Sequence, residues 1–346
     1  MSDLGIVRGR VAAGYACSLV FATAAALATA VSTAQADTKV RYVEVVRNLA
    51  YLPSYVAFAK GYFKEAGLDV SISTAQGGDK ATAMILGGNA DITLVGPETA
   101  VYVWNSESPE KMKIFCSLTG TSTNFFISRK KMDPATFKWS MIKGSTVLGW
   151  RPGSTPELFM QYAMRKNGID PAKDITDVTN IGVPARLGAW MSGKGDYAIF
   201  SEPELTRIEK DGKGYPLRFV GSDVGQVDYT LFMATDSYIK KNPKIIQDFT
   251  NAIYKAQLFT KTADPAELGK LVVKYFPVVT VQDIANAVLR YRKVGLWRDD
   301  PVVYEKPMET LQDILIQGGA QKADKRVKYS DIVLTSFAEK AKATIH

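Results

Sequence analysis

Asn124-Phe125-Phe126-Ile127-Ser128 and Tyr229-Thr230-Leu231-Phe232-Met233-Ala234 are the two segments on which the fold turns. Both are rich in β-branched and aromatic side chains, so each reads as a strand. Ahead of the first, short apolar runs at 40–46, 70–74, 92–95 and 114–118 alternate with helical patterns at 55–65, 80–87 and 98–104. After it the alternation restarts, with strands at 146–150, 177–181, 197–200 and 217–220 and helices at 156–166 and 185–191. From Asn242 onward the chain reads as helix after helix. Such alternation is the signature of α/β layers around mostly parallel sheets.

The restart implies one α/β unit inserted into another. The stretches 123–129 and 228–235 are expected to carry the chain from one lobe to the other and back, making a two-strand hinge over a closable cleft. The expected division is a first lobe of 37–125 and 231–346, with the helical tail packed on it, and a second lobe of 126–230. Two lobes also suit a length that exceeds what one hydrophobic core usually holds.

Residues 1–36 read differently. Arg8 and Arg10 precede an uncharged run from Val11 to Val31, followed by Ala34-Gln35-Ala36 with the small-residue spacing of a cleavage site. The expectation is a signal peptide cut after Ala36 and a periplasmic location. The Ala- and Thr-rich run argues against a membrane anchor. The remaining chain holds 41 Lys and Arg against 34 Asp and Glu, interspersed, with no basic block of the kind that binds nucleic acid.

Two residue counts narrow the chemistry. Beyond residue 36 there is one cysteine, Cys116, set in an apolar strand pattern, so no intramolecular disulfide forms and the thiol is expected to be buried and inert. The one histidine is His346, which removes Ser-His-Asp, Cys-His and His-zinc chemistry. No cofactor and no metal are expected, no Walker or dinucleotide motif is present, and a monomer is expected.

In parallel α/β sheets, ligands gather at the carboxyl ends of the strands, beside helix N-termini. The loops there supply the candidates. They are Asn48, Tyr51 and Pro53 after the first strand, with Tyr55 offering further aromatic surface; Gly77, Gly78 and Asp79 after the second; Gly96, Pro97 and Glu98 after the third; and Asn124 at the crossing. In the second lobe, Arg151, Ser154 and Thr155 before Pro156 resemble a helix start that receives an anion, and Glu202 sits at another strand end facing the same cleft. Two acids opposite one arginine leave the sign of the ligand open. A carboxylate or sulfonate is favoured on Arg151 and the helix N-terminus; a nitrogen heterocycle held by Glu98 or Glu202 is the alternative.

These motifs, in order, resemble a known family. Tyr51-Leu52-Pro53-Ser54-Tyr55, Gly61-Tyr62-Phe63, Gln76-Gly77-Gly78-Asp79-Lys80, Gly96-Pro97-Glu98, Gly149-Trp150-Arg151-Pro152-Gly153 and Glu202-Pro203 are similar to landmarks of the nitrate/sulfonate/taurine-type solute-binding proteins, which also include carriers of thiamine-precursor pyrimidines. The resemblance covers 40–243. It implies a type II periplasmic-binding-protein fold that captures a small polar organic solute between its lobes. The solute would then pass to an ABC permease and its ATPase. A periplasmic sensor would need the same cleft. A eukaryotic relative of the fold is an enzyme making a thiamine pyrimidine with a histidine and a cysteine-rich motif. Beyond residue 36 this chain has no internal histidine and one cysteine, so an enzyme using Glu98 or Glu202 is the weaker reading.

Overall fold

A computed structural model describes residues 37–346; the expected signal peptide lies outside them. The strands are β1 (Thr38–Glu44), β2 (Leu68–Thr74), β3 (Ile92–Val95), β4 (Met112–Thr119), β5 (Phe125–Ser128), β6 (Thr146–Leu148), β7 (Thr176–Val178), β8 (Tyr197–Phe200), β9 (Tyr215–Phe219) and β10 (Thr230–Thr235). They form two five-stranded sheets, ordered β2-β1-β3-β10-β4 and β7-β6-β8-β5-β9.

The two sheets share one plan. In the first, β2, β1 and β3 run parallel and β10 lies antiparallel between β3 and β4. In the second, β7, β6 and β8 run parallel and β5 lies antiparallel between β8 and β9. Each antiparallel strand is the one that has just arrived from the other sheet, which is why it points the opposite way. It also sits inside its sheet, fully buried along its length, and this explains the dense apolar character of both deciding segments. The expectation that these segments bridge the lobes is therefore corrected: the passages are made by residues 120–124 and 220–229, just ahead of each.

Helices of seven residues or more are α1 (Leu52–Ala59), α2 (Gly78–Leu86), α3 (Glu98–Asn105), α4 (Thr155–Lys166), α5 (Val183–Met191), α6 (Glu204–Lys210), α7 (Pro243–Thr262), α8 (Pro265–Val272), α9 (Val281–Lys293), α10 (Glu305–Gln317) and α11 (Ser336–Thr344). Helices α2, α3 and α4 start directly after loops at strand ends. The parallel strands of both sheets end at the cleft, so these helix starts face it too.

Strand alternation splits the core into two apolar layers, each continuous over both sheets. One layer holds Tyr42, Leu94, Phe125, Leu148 and Phe200; the other holds Val43, Val95, Phe126, Val147 and Ile199. The helical tail closes both. Phe249 of α7 packs against Tyr42, Phe63 and Phe232 of the first lobe. The tail does not stay there, however. From α9, Arg290 pairs with Glu202 and Glu209 and Asp283 pairs with Lys210, all on the second lobe. Leu311 and Leu315 of α10 belong to the layer that contains Leu158 of α4. Cys116 is fully buried in β4, where the lack of water pushes its thiol pKa well up.

The passages themselves are pinned to the first lobe. Asp228, fully buried, accepts from Ser117 Oγ (2.7 Å) and from Arg298 Nε (3.0 Å), and Arg298 reaches its second oxygen at 2.9 Å. Thr121 Oγ1 donates to the Gly225 carbonyl at 2.9 Å, tying one passage to the other.

Candidate functional site

A cavity of ≈ 60 Å³ lies between the sheets, walled by both lobes and by both passages. It holds about four to six water-sized groups. Larger chambers open on either side. One, of ≈ 240 Å³, is entered past Asn48, Trp150 and Ser201. The other, of ≈ 400 Å³, is entered past Gly78, Arg151 and Ser154.

Of the residues singled out from sequence, Asn48, Tyr51, Gly78, Gly96, Glu98, Asn124, Arg151, Ser154 and Thr155 wall the central cavity. Asp79 lies in the outer chamber. Pro53, Gly77 and Pro97 wall none of the three: Pro53 is buried in the first turn of α1, and Gly77 and Pro97 immediately precede α2 and α3. Tyr55 is likewise displaced, turned into the first lobe to bond Glu44 and stack on Tyr275.

Glu98 is the central group. It starts α3, is buried, and reaches across the cleft to α4, where the Thr155 backbone N–H donates to Oε1 at 3.1 Å and the Thr155 hydroxyl donates to Oε2. The side chain of Ser154, which precedes α4, makes no capping bond; its hydroxyl donates to the Arg151 carbonyl instead. The orphan N–H at the start of α4 is thus satisfied by a carboxylate from the opposite lobe, with favourable charge toward the helix dipole. Burial raises the Glu98 pKa, and the two bonds from Thr155 oppose that rise. Gly96 makes the approach possible, since a Cβ there would collide with both the Glu98 carboxylate and the Thr155 hydroxyl.

The anion-receiving groups expected at this site are therefore already engaged. Thr155 holds Glu98, and the guanidinium of Arg151 donates to Asp79 at 2.5 Å across the mouth of the cleft. Glu202 is corrected more strongly. It lies beside the 240 Å³ chamber, fully buried, with Arg290 at 2.8 Å and the Thr206 N–H at 3.0 Å. Burial raises its pKa and Arg290 opposes this. Its role is to start α6 and anchor α9.

Other polar groups complete the wall. Asn48 Nδ2 donates to Ser201 Oγ across the cleft at 2.7 Å while Asn48 Oδ1 accepts from the Ala50 N–H. Asn124 donates to the Tyr229 hydroxyl at 2.6 Å, and the lack of water pushes that phenol's pKa up. Tyr291 of α9 donates to the Thr123 carbonyl and accepts from the Glu202 N–H at 2.9 Å. Trp150 and Arg151 both wall the cavity, and their Nε1 and Nε donors are buried without a partner.

Sequence reasoning passed over Trp150, Ser201 and Tyr229. Ser201 and Trp150 stand just past the ends of β8 and β6, so the strand-end rule that found Glu202 and Arg151 would have found them. Trp150 is held by its neighbours. Buried Arg186 stacks on it at 4.4 Å and donates to the carbonyls of Leu148 and Gly149, both at 3.0 Å, with burial lowering its pKa to about 10. The Trp150 N–H donates to Glu157 at 2.7 Å. Glu157 lies against Asp177, and burial together with that second carboxyl holds its pKa well above the usual carboxylate range. Among the described residues, no group of His, Cys, Asp and Glu is arranged to hold a metal ion, and no helix is long and apolar enough to cross a membrane.

Comparison with known proteins gives a consistent set. The family model NMT1/THI5 like matches residues 48–267. YtlA of Bacillus subtilis (strain 168), named as a binding protein, is 37% identical over 88% of this chain and 90% of its own. The alkanesulfonate-binding protein SsuA from Xanthomonas axonopodis pv. citri, solved with MOPS bound, superposes with a TM-score of 0.71 at 12% identity over 88% of this chain and 100% of its own. A Saccharomyces cerevisiae protein named 4-amino-5-hydroxymethyl-2-methylpyrimidine phosphate synthase THI11 is 25% identical over 66% of this chain and 68% of its own.

Proposed function

The chain belongs to the NMT1/THI5 like family, and from that premise we propose that it is the periplasmic solute-binding component of an ABC importer. It captures one small polar organic molecule in the interlobe cleft and presents the closed form to a membrane permease with its ATPase. The observation that carries this reading is the cavity itself. Its wall is contributed by both lobes, and direct bonds already span the cleft, among them Glu98 to Thr155 twice, Asn48 to Ser201, Arg151 to Asp79, the Tyr102 hydroxyl to the Gly153 carbonyl and the Leu49 N–H to the Glu202 carbonyl. A site whose two halves meet only on closure couples occupancy to shape, which is what a transporter needs to distinguish loaded from empty carrier. The moving units divide at 120–124 and 220–229, where the chain changes sheets.

An enzymatic reading has less support. Glu98 and Glu202 are the acids proposed for it, and both are engaged by other side chains, one with Thr155 and one with Arg290. On solute class, the favoured acid meets a start of α4 already held by Glu98 and an Arg151 already bonded to Asp79, with its buried Nε unpartnered; the nitrogen-bearing alternative keeps Glu98 as acceptor and gains Trp150 Nε1 as donor.

The test is thermal unfolding of residues 37–346 against sulfonates, carboxylates, nitrate, thiamine-type pyrimidines and other nitrogen heterocycles. A solute at a hundred times its Kd adds about 2.7 kcal/mol, a shift of several degrees, and should also compact the protein in X-ray scattering and be recovered chemically unchanged. A recovered product in place of the added compound would establish turnover and overturn the reading.

A further inference from the structure

We infer that Glu98 is a built-in counter-anion that sets the charge selectivity of the cleft, so that the captured solute is a neutral or protonated N–H donor and oxyanions are excluded. This rests on the capture reading and adds the sign of the ligand to it.

The argument is one of occupancy. The start of α4, a 12-residue helix, is where a negative group between the lobes would bind, through the Thr155 N–H and hydroxyl. Glu98 takes both donors. An oxyanion could reach them only by displacing this carboxylate, which would then stay buried with no partner and face a second negative charge at short range. Arg151 is the one Lys or Arg that walls the central cavity among the described residues; its charge already acts on Glu98 and its guanidinium donates to Asp79, which leaves its buried Nε unpartnered for a second anion. Arg186, behind Trp150, spends its guanidinium on carbonyl oxygens at the ends of β6 and β8.

The packing around the bridge points the same way. Gly96 is the residue whose side chain would sit between the two partners, and any Cβ there would strike both. The local sequence therefore makes room for the bridge. Each Glu98 oxygen accepts one bond from Thr155, leaving lone pairs at the cavity, while Trp150 Nε1 offers a free donor. A solute that donates N–H to the first and accepts from the second uses both.

The experiment compares residues 37–346 with the variants Glu98→Ser and Glu98→Gln by calorimetric titration with nitrate, methanesulfonate and ethanesulfonate. Wild type should show no binding of these anions up to 10 mM (about the weakest binding worth calling specific). Glu98→Ser frees the Thr155 donors and should bind at least one of them at least tenfold more tightly. Glu98→Gln keeps the side-chain volume and should show a smaller gain, which preserves the test if Glu98→Ser fails to fold. Wild type binding the anions as well as the variants overturns the inference, and so do folded variants that gain none. Native mass spectrometry of the wild type gives a second arm: a co-purified solute that is a net anion at pH 7 also overturns it. The capture reading fails separately, if no solute of any charge compacts the wild type.

Discussion

Glu98 and Glu202 occupy equivalent places in the two lobes. Each follows the third strand of a β2-β1-β3 type unit, β3 in one and β8 in the other, each is buried, and burial raises the pKa of each. Their partners differ. Glu202 meets Arg290 from the tail and is finished as a charge. Glu98 meets the hydroxyl and N–H of Thr155 from the opposite lobe, while the nearby Arg151, which opposes the rise in its pKa, is bonded to Asp79 instead. An acid at a strand end is thus not a site by position; the partners that the rest of the chain supplies decide whether it is left to face the cleft.

The sharpest way to break this comparison is to remove each acid in turn. Glu202→Ala leaves Arg290 with Glu209 alone and the Thr206 N–H without a partner, and should cost about 2 kcal/mol in urea unfolding, the scale of a buried polar group left unsatisfied. Glu98→Ala should cost only about 1 kcal/mol, the scale of a lost helix cap, while abolishing solute-dependent compaction. Equal stability losses, or binding that survives Glu98→Ala, would dissolve the distinction.

A third buried acid sharpens it. Glu157 has neither a cation nor a partner across the cleft but a second carboxyl, Asp177, and its pKa is raised. A raised acid holds its proton in the folded state where the unfolded chain has released it. Its contribution is complete below the ordinary carboxylate range and is lost as pH rises through the raised value. The wild-type unfolding free energy should therefore fall on going from mildly acidic to alkaline buffer, by at most about 1.4 kcal/mol per pH unit for one proton. Glu157→Gln should flatten that slope; an unchanged slope would place the proton elsewhere.

The smallest effect belongs to the Arg151–Asp79 pair at the mouth, where Asp79 is 64% exposed. Asp79→Asn should change unfolding stability by about 0.5 kcal/mol or less. Its effect should show instead in faster solute release at low ionic strength, a difference that 0.5 M salt removes by screening.

Much of this was legible in the sequence. The strand runs were placed within a few residues because buried strands carry continuous apolar stretches, and Glu98, Arg151 and Thr155 were reached by the strand-end rule. What sequence could not supply was pairing. Thr155 lies 57 residues from Glu98 and Arg290 lies 88 from Glu202, and no local pattern says which acid each will meet. The tail was read as belonging to the first lobe because its helices follow β10. Only the folded structure brings Arg290 and Asp283 against the second. Trp150 reads locally as a strand-end apolar residue; that it walls the cavity, with Arg186 of another helix stacked on it, belongs to the folded structure.

The position of β10 has a consequence for how the chain assembles. Every strand of the second sheet lies within residues 125–219, so that sheet can be completed from one continuous stretch. The first sheet cannot. Its edge strand β4 pairs with no strand but β10, and β3 keeps one side bare until the same segment arrives after the whole second lobe has been made. During synthesis and refolding the first lobe therefore carries open strand edges, the kind that join to other chains, and its non-local pairing makes it the slower half to form.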